Sequence, residues 1–157
     1  MKIQFNNLFS SNKKIERQLI ESFTKHVKNS NFISGKEVSN FEDNFKNLNE
    51  SKYCISCANG SDALLIAIKA LGIKPGDEVI TTSFSWIATS AAITMAGGKV
   101  IFCDIEKDGF NIDPDLIKKK ITKKTVGIIP VHLYGYPADM IEIMKIAKRH
   151  KLWVIED

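Results

Sequence analysis

A regular alternation of strand-like and helix-like segments constrains the fold of this chain more than any other feature. The strand-like segments are almost continuously apolar, as in residues 126–131, instead of alternating apolar and polar residues. That pattern is typical of parallel strands covered on both faces by helices. We therefore predict an α/β fold with a mainly parallel sheet sandwiched by helices. The predicted strands are 53–58, 78–82, 99–104, 125–131 and 153–155, and the helices 63–71, 86–96, 113–121 and 137–151.

The N-terminal region predicts helices without strands between them. After an extended start, Ser10 or Ser11 is a suitable cap for a helix, and a second helix is predicted to begin near Ser39. The apolar residues of the first helix recur every four positions, at Ile15, Leu19, Phe23 and Val27. We divide the chain into an N-terminal helical segment, residues 1–34, and the first part of a larger domain, residues 35–157.

The C-terminus ends directly after a strand that is predicted to be buried. Asp157 is the last residue, at the point where the next crossover helix is expected to begin. A natural domain rarely stops there, so we expect the chain to be the first part of a longer, incomplete domain.

Composition excludes several classes of protein and of partner. Hydrophobic residues make up 44% and charged residues 25% of the chain, so a disordered or fibrous protein is not expected. No apolar stretch is long enough to span a bilayer, and Met1–Asn7 does not resemble a signal peptide. We place the protein in the cytoplasm. The net charge is +4, and the densest group of lysines lies at the end of a predicted helix, where positive charges are favoured. We therefore predict neither nucleic acid nor membrane as a partner.

Metal and disulfide chemistry are not predicted. Cys54 and Cys57 form a C-x-x-C pair, but in the predicted strand their side chains point to opposite faces and cannot chelate one ion. The acidic residues from Asp104 to Asp113 resemble a calcium-binding loop, but glycine and the final glutamate are not at the positions that such a loop requires. Three cysteines fit a reducing compartment.

Three groups of residues follow predicted strands and therefore meet at the carboxyl edge of the sheet, where ligands bind in α/β folds. The amides of Gly60, Ser61 and Asp62 begin a helix and are suited to a phosphate. Trp86 offers a flat aromatic face. Asp157 places a carboxylate at the end of a buried strand, where it requires a cationic partner.

Each group also has a simpler structural interpretation. Asn59 or Ser61 caps the helix, Trp86 packs in the core or at its rim, and Asp157 caps a following helix. His132 follows another strand, but a single histidine there is more often structural than catalytic. The residues alone leave these alternatives open.

Taken together, the segments from about Phe32 to Asp157 resemble the first half of the DegT/DnrJ/EryC1/StrS-type sugar aminotransferases, which use pyridoxal 5'-phosphate and adopt PLP-transferase fold type I. No single motif is specific, but six occur in the same order. They are ISGKEV with FE at residues 33–42, ANGSDAL at 58–64, PGDEVI at 75–80, SFSWIAT at 83–89, PVHLYG at 130–135 and VIED at 154–157.

The resemblance assigns roles to the candidate residues. It implies that Gly60, Ser61 and Asp62 bind the cofactor phosphate, that Trp86 stacks on the pyridine ring and that Asp157 pairs with the ring nitrogen. It also implies a nucleotide-linked keto sugar and an amino-acid donor such as glutamate as substrates, and a homodimer. The lysine that binds the cofactor covalently in this family lies beyond the equivalent of Asp157, so no catalytic residue is predicted here.

Two other functions stay open from the sequence. One is a truncated or inactive paralogue that binds a nucleotide sugar or a partner protein without catalysis. The other is a dinucleotide-binding oxidoreductase, which is disfavoured because the first strand-to-helix turn lacks G-x-G-x-x-G.

Overall fold

The computed structural model describes residues 6–157. The predicted extended start and most of the segment Met1–Asn7 discussed above lie outside the described residues. The chain forms two compact units, the first ending at Ser56 and the second spanning Cys57–Asp157. The domain boundary placed between residues 34 and 35 stays a prediction about the complete protein.

The first unit contains three helices, α1 (Leu8–Lys13), α2 (Glu16–Asn29) and α3 (Lys36–Leu48). None of their residues is buried. The predicted cap is wrong: Ser10 and Ser11 lie inside the separate helix α1, which Asn7 caps. Asn7 takes this role because its side-chain oxygen accepts the Ser10 amide at 3.1 Å. The predicted helix with Leu19, Phe23 and Val27 is α2, which begins after Ile15 without a side-chain cap. The third helix also begins three residues earlier than the predicted start at Ser39.

The second unit is a parallel sheet with helices on both faces, which confirms the predicted α/β architecture. In chain order the elements are α4 (Gly60–Ala70), β1 (Glu78–Thr82), α5 (Ala88–Met95), β2 (Lys99–Cys103), α6 (Pro114–Lys120), β3 (Thr125–Ile129), α7 (Met140–His150) and β4 (Trp153–Val154). The strands lie in the order β2-β1-β3-β4, and all three neighbouring pairs are parallel.

The core has two halves because successive side chains of a strand point to opposite faces. Val79 and Ile129 pack on one face against residues of α4 and α5, namely Leu64, Ile68, Ala92 and Ile93. Ile80 and Ile128 pack on the other face against Ile117 of α6 and Ile143, Ile146 and Ala147 of α7. These layers hold the carboxyl ends of β1, β3 and β4 side by side.

The predicted strand at residues 53–58 is wrong. The segment pairs with no strand among residues 6–157, and Tyr53 and Ile55 are 71% and 84% exposed. An alternating apolar pattern favours an extended backbone, but a strand also needs a neighbouring strand to bond with. The prediction that the thiols of Cys54 and Cys57 point to opposite faces assumed this strand, so the structure does not support it.

Two negative findings apply to residues 6–157 alone. No helix in this range has both the length and the apolar composition needed to cross a membrane. In the same range, no three His, Cys, Asp or Glu side chains converge in a way that would hold a metal ion.

Glu78 makes a polar cluster at the amino end of the sheet. Its carboxylate accepts the Thr122 hydroxyl at 2.6 Å and the Lys99 ammonium at 3.1 Å. These contacts, with the Thr122 hydrogen bond first, lower the pKa of Glu78 below its ordinary value of 4.5. The depressed pKa contributes stability above the pKa of the unfolded chain, and this contribution is lost as the pH falls through the folded pKa.

We therefore expect Glu78→Gln to lower the thermal midpoint of the complete protein at pH 7. The difference from wild type should shrink as the pH falls below about 4.5, the pKa region of an ordinary glutamate. Melting curves from pH 7 down to about pH 3 measure this, because the folded pKa lies below the ordinary value. The exposed Glu50→Gln is the matched control. A difference that stays constant with pH would contradict the role given to the carboxylate.

Cys103 and Cys57 should differ in thiol reactivity. Cys103 is fully buried in the sheet, and burial, helped by the negative charge of Asp113, raises its pKa to about 11. Cys57 is exposed. Because the thiolate is the reactive form, we expect iodoacetamide to label Cys57 of the native protein well before Cys103, and both equally in denaturant. Peptide mapping by mass spectrometry measures this; comparable native rates would contradict the buried position.

Candidate functional site

A cavity of about 430 Å³ lies at the carboxyl edge of the sheet, within the second unit. Its volume falls in the range of small-molecule sites, roughly 300–1,000 Å³. It brings together four of the five predicted site residues. Its lining includes Gly60, Ser61, Trp86, Thr89, His132 and Asp157. Asp62 does not line the cavity.

The start of α4 presents backbone amides to this cavity. The Asn59 side chain caps the helix by accepting the Asp62 amide at 2.9 Å, and the Asn59 carbonyl accepts the Ala63 amide at 3.0 Å. The amides of Gly60 and Ser61 have no acceptor among residues 6–157. The sequence analysis treats the Asp62 amide as available to a phosphate, but in the structure this amide is already paired with the Asn59 side chain. A contact of Asp62 with the cofactor stays a prediction.

Gly60 leaves open space where a side chain would stand. A Cβ atom built on this residue meets no heavy atom within 4 Å, and its backbone is not in the left-handed region. Neither packing nor backbone conformation therefore requires glycine here. The missing side chain keeps the amides at the start of the helix accessible, as a bound anion requires.

Trp86 is not a core residue. It lies between β1 and α5 and is 78% exposed, and its side chain lines the cavity. A largely exposed indole at the wall of a cavity offers one face for stacking on a planar ring. This position excludes the simpler interpretation of Trp86 as core packing.

Backbone hydrogen bonds hold Asp157 at the cavity. Its amide donates to the Pro130 carbonyl at 3.0 Å, and its carbonyl accepts the His132 amide at 2.8 Å. The parallel pairing of β3 and β4 thus continues to the last residue. Asp157 lies shortly after β4 and lines the cavity.

Thr89 is the direct side-chain partner of Asp157. It lies in the first turn of α5, is 3% exposed, and donates its hydroxyl to Asp157 Oδ2 at 2.5 Å. Among residues 6–157, Oδ1 of Asp157 has no hydrogen-bond partner. One carboxylate oxygen is thus held by the protein and the other is open to a ligand.

His132 is held in a defined tautomer. Its Nδ1 accepts the Ala138 amide at 3.1 Å, and an atom that accepts a backbone N–H carries no proton. The ring proton of neutral His132 is therefore on Nε2, which donates to Glu156 Oε2 at 2.9 Å. Both ring nitrogens have partners, so His132 connects the loop after β3 to Glu156, the residue before Asp157.

Thr89 was missed by the sequence analysis as a functional residue. One signal could have indicated it: in the predicted helix 86–96, Thr89 lies three residues after Trp86, a spacing that puts two side chains on one side. In the structure Trp86 precedes α5, so this spacing does not explain the position of Thr89. Its contact with a residue 68 positions away depends on the packing of α5 against the sheet. No local pattern reports that packing.

The residues present fit pyridoxal 5'-phosphate. The free amides and the positive end of the α4 dipole suit a phosphate. The indole suits an aromatic ring, and a carboxylate favours the protonated form of a pyridine nitrogen next to it. The cavity is large enough for one small ligand that contacts all three groups.

Comparison with known proteins identifies relatives along almost the whole chain. The model of the DegT/DnrJ/EryC1/StrS aminotransferase family matches residues 13–157. The chain is 43% identical over 157 residues to a pleiotropic regulatory protein of Geobacillus stearothermophilus, covering 100% of this chain and 42% of the relative. It is 41% identical over 155 residues to a UDP-2-acetamido-2-deoxy-3-oxo-D-glucuronate aminotransferase of Pseudomonas aeruginosa, covering 99% and 43%.

A solved structure agrees with the fold. The crystal structure of Bacillus subtilis NtdA with bound cofactor PMP superposes with a TM-score of 0.88 at 41% identity, covering 92% of this chain and 33% of that protein. The agreement confirms the predicted fold class. The chain spans about two-fifths of the length of the two curated relatives, 42% and 43%. It belongs to the DegT/DnrJ/EryC1/StrS aminotransferase family.

Proposed function

We propose that the protein containing this chain is a pyridoxal 5'-phosphate-dependent aminotransferase. It moves an amino group from an amino-acid donor such as glutamate to a nucleotide-linked keto sugar, giving a building block for polysaccharides or glycans. The observation that carries the proposal is the cavity that joins the α4 amides, the Trp86 indole and the Asp157 carboxylate in a chain of this family.

Different residues of this chain bind the phosphate, the ring and the ring nitrogen of the cofactor. The amides of Gly60 and Ser61 bind the phosphate, which the positive end of α4 favours. The exposed face of Trp86 supports the ring and excludes water from that side. The free oxygen of Asp157 holds a proton on the ring nitrogen. Pyridoxal phosphate, when bound, supplies an electron sink for the amino-transfer chemistry.

A homodimer in the cytoplasm is part of the proposal. The dimer is supported by the resemblance, which implies a site completed at the subunit interface. The cytoplasmic location is supported by the three cysteines, all free, since a reducing compartment keeps thiols unpaired. Sedimentation of the complete protein with and without cofactor measures the dimer, and a monomer at micromolar concentration would contradict it.

The activity is tested with the complete protein, pyridoxal 5'-phosphate and glutamate. We expect the bound cofactor to absorb near the visible range. Glutamate alone should give at most about one equivalent of 2-oxoglutarate per active site, and continued conversion should require a keto sugar. UDP- and dTDP-linked 3-keto sugars are the first acceptors to compare. No cofactor binding at saturating concentration, or no 2-oxoglutarate with any acceptor, would overturn the proposal.

A second candidate is a member that binds a nucleotide sugar or a protein partner without catalysis. It is favoured by one observation: the Geobacillus stearothermophilus relative is described as a regulatory protein, not as an enzyme. The same experiment separates the two candidates. Nucleotide-sugar binding in calorimetry without any 2-oxoglutarate would support this second function.

Replacement of Trp86 tests the stacking role. We expect Trp86→Ala to weaken cofactor binding roughly 2- to 12-fold, because aromatic stacking contributes about 0.5–1.5 kcal/mol beyond the area buried. The melting temperature without cofactor should not change, since the side chain is 78% exposed. Titration of the cofactor absorbance measures the affinity, with Tyr136→Ala, exposed but outside the cavity, as the control. Unchanged affinity would remove Trp86 from the site.

A further inference from the structure

We infer that Thr89 is a positioning residue that fixes the Asp157 carboxylate for the cofactor; this inference rests on the proposed function. Its hydroxyl donates to Asp157 Oδ2 at 2.5 Å. The donor belongs to α5, which follows β1, and the acceptor follows β4. The hydrogen bond therefore connects α5 to the carboxylate that follows β4, and both parts line the cavity.

The bond is specific to Thr89 among the hydroxyl residues of α5. Ser90 donates to the carbonyl of Ile87 at 3.0 Å, and Thr94 donates to the carbonyl of Ser90 at 3.1 Å. Donation to a carbonyl one turn back is the usual choice for Ser and Thr in a helix. Thr89 instead donates to a carboxylate 68 residues away in the sequence.

The geometry explains why this bond matters for binding. The backbone of Asp157 is fixed by Pro130 and His132, but without a side-chain partner its carboxylate would rotate about the side-chain bonds. Thr89 is 3% exposed, so its own hydroxyl cannot move away to bulk water. A donor to Oδ2 selects one rotamer and leaves Oδ1 for the ring nitrogen.

The substitution Thr89→Val keeps the shape of the side chain and removes the hydroxyl. We expect it to weaken binding of pyridoxal 5'-phosphate by the complete protein roughly tenfold, by analogy with the lower end of the loss seen when the hydrogen-bond partner of a metal-binding side chain is removed. Thr89→Ser retains a hydroxyl and should bind the cofactor within about threefold of wild type. Titration of the cofactor absorbance at equilibrium measures both variants.

Two further measurements separate positioning from a structural effect. Without cofactor, the melting temperature of Thr89→Val should stay close to that of wild type. In an Asp157→Asn background, Thr89→Val should change cofactor affinity less than twofold, because the two residues act through one contact. An equal loss of affinity in both backgrounds would show that Thr89 acts only on packing and would overturn the inference.

The outcomes also separate this inference from the proposed function. Wild-type protein that binds the cofactor, together with a Thr89→Val variant that binds it equally well, overturns the role of Thr89 alone. Wild-type protein that binds no cofactor overturns the proposed function and this inference with it. A Thr89→Ser variant as weak as Thr89→Val would contradict a role for the hydroxyl.

Discussion

We expect Asp157→Asn to lower kcat of the proposed aminotransferase by roughly 10²- to 10³-fold, the range found when one preorganised electrostatic contact to the reacting group is removed. Asparagine has nearly the same shape but no charge, so it no longer favours a proton on the ring nitrogen of the cofactor. Removal of the amino group from glutamate should then be slower, because the electron sink that the cofactor would supply depends on this proton. Single-turnover measurements with glutamate report the change directly.

The matched control for this substitution is Asp108→Asn. Asp108 is an exposed aspartate in the loop between β2 and α6, outside the cavity. Its variant should keep the wild-type kcat, whereas Asp157→Asn should keep the wild-type melting temperature without cofactor. An Asp157→Asn enzyme with more than half of the wild-type kcat would remove Asp157 from the catalytic account.

Gly60→Val should weaken cofactor binding about 10- to 100-fold. The loss of one hydrogen bond to a charged group costs about 1.5–3 kcal/mol, and the valine side chain would stand between the Gly60 amide and the phosphate. The protein itself has room for the new side chain, since a Cβ atom at this position meets no heavy atom within 4 Å. The cofactor-free melting temperature should therefore not fall.

The control for Gly60→Val is a valine at the other end of the same helix. Ala70 is exposed and is the last residue of α4, so Ala70→Val introduces the same β-branched side chain away from the cavity. Equilibrium titration with pyridoxal 5'-phosphate compares the two variants. Equal affinities would mean that the phosphate does not bind at the start of α4.

The sequence predicts the sheet well because each strand has an apolar run bounded by turn residues. The bounds of β1, residues 78–82, agree with the structure at both ends. The start of α6 was also predictable, since Asp113 accepts the amides of Asp115 and Leu116 and Pro114 occupies the first turn. At residues 53–58 the same reasoning was wrong, because an extended pattern does not reveal whether a partner strand lies beside it.

Candidate residues at the carboxyl edge were predictable for a topological reason. In a parallel sheet all strands end at one edge, so the residues after β1, β3 and β4 meet there. Trp86, after β1, and Asp157, after β4, line one cavity as this rule requires. Gly60 and Ser61 line the same cavity from the start of α4, although the strand predicted before them does not form. The use of the Asp62 amide and the partner of Asp157 depend on rotamers and on packing across the chain. Sequence patterns carry no information about either.

The most direct test of the central claim is a crystal structure of the complete protein grown with pyridoxal 5'-phosphate. We predict the phosphate at the amides of Gly60 and Ser61, the pyridine ring against Trp86, and the ring nitrogen at the carboxylate of Asp157. Electron density for the cofactor in another place, or an empty cavity at a cofactor concentration that saturates the enzyme in solution, would contradict the account.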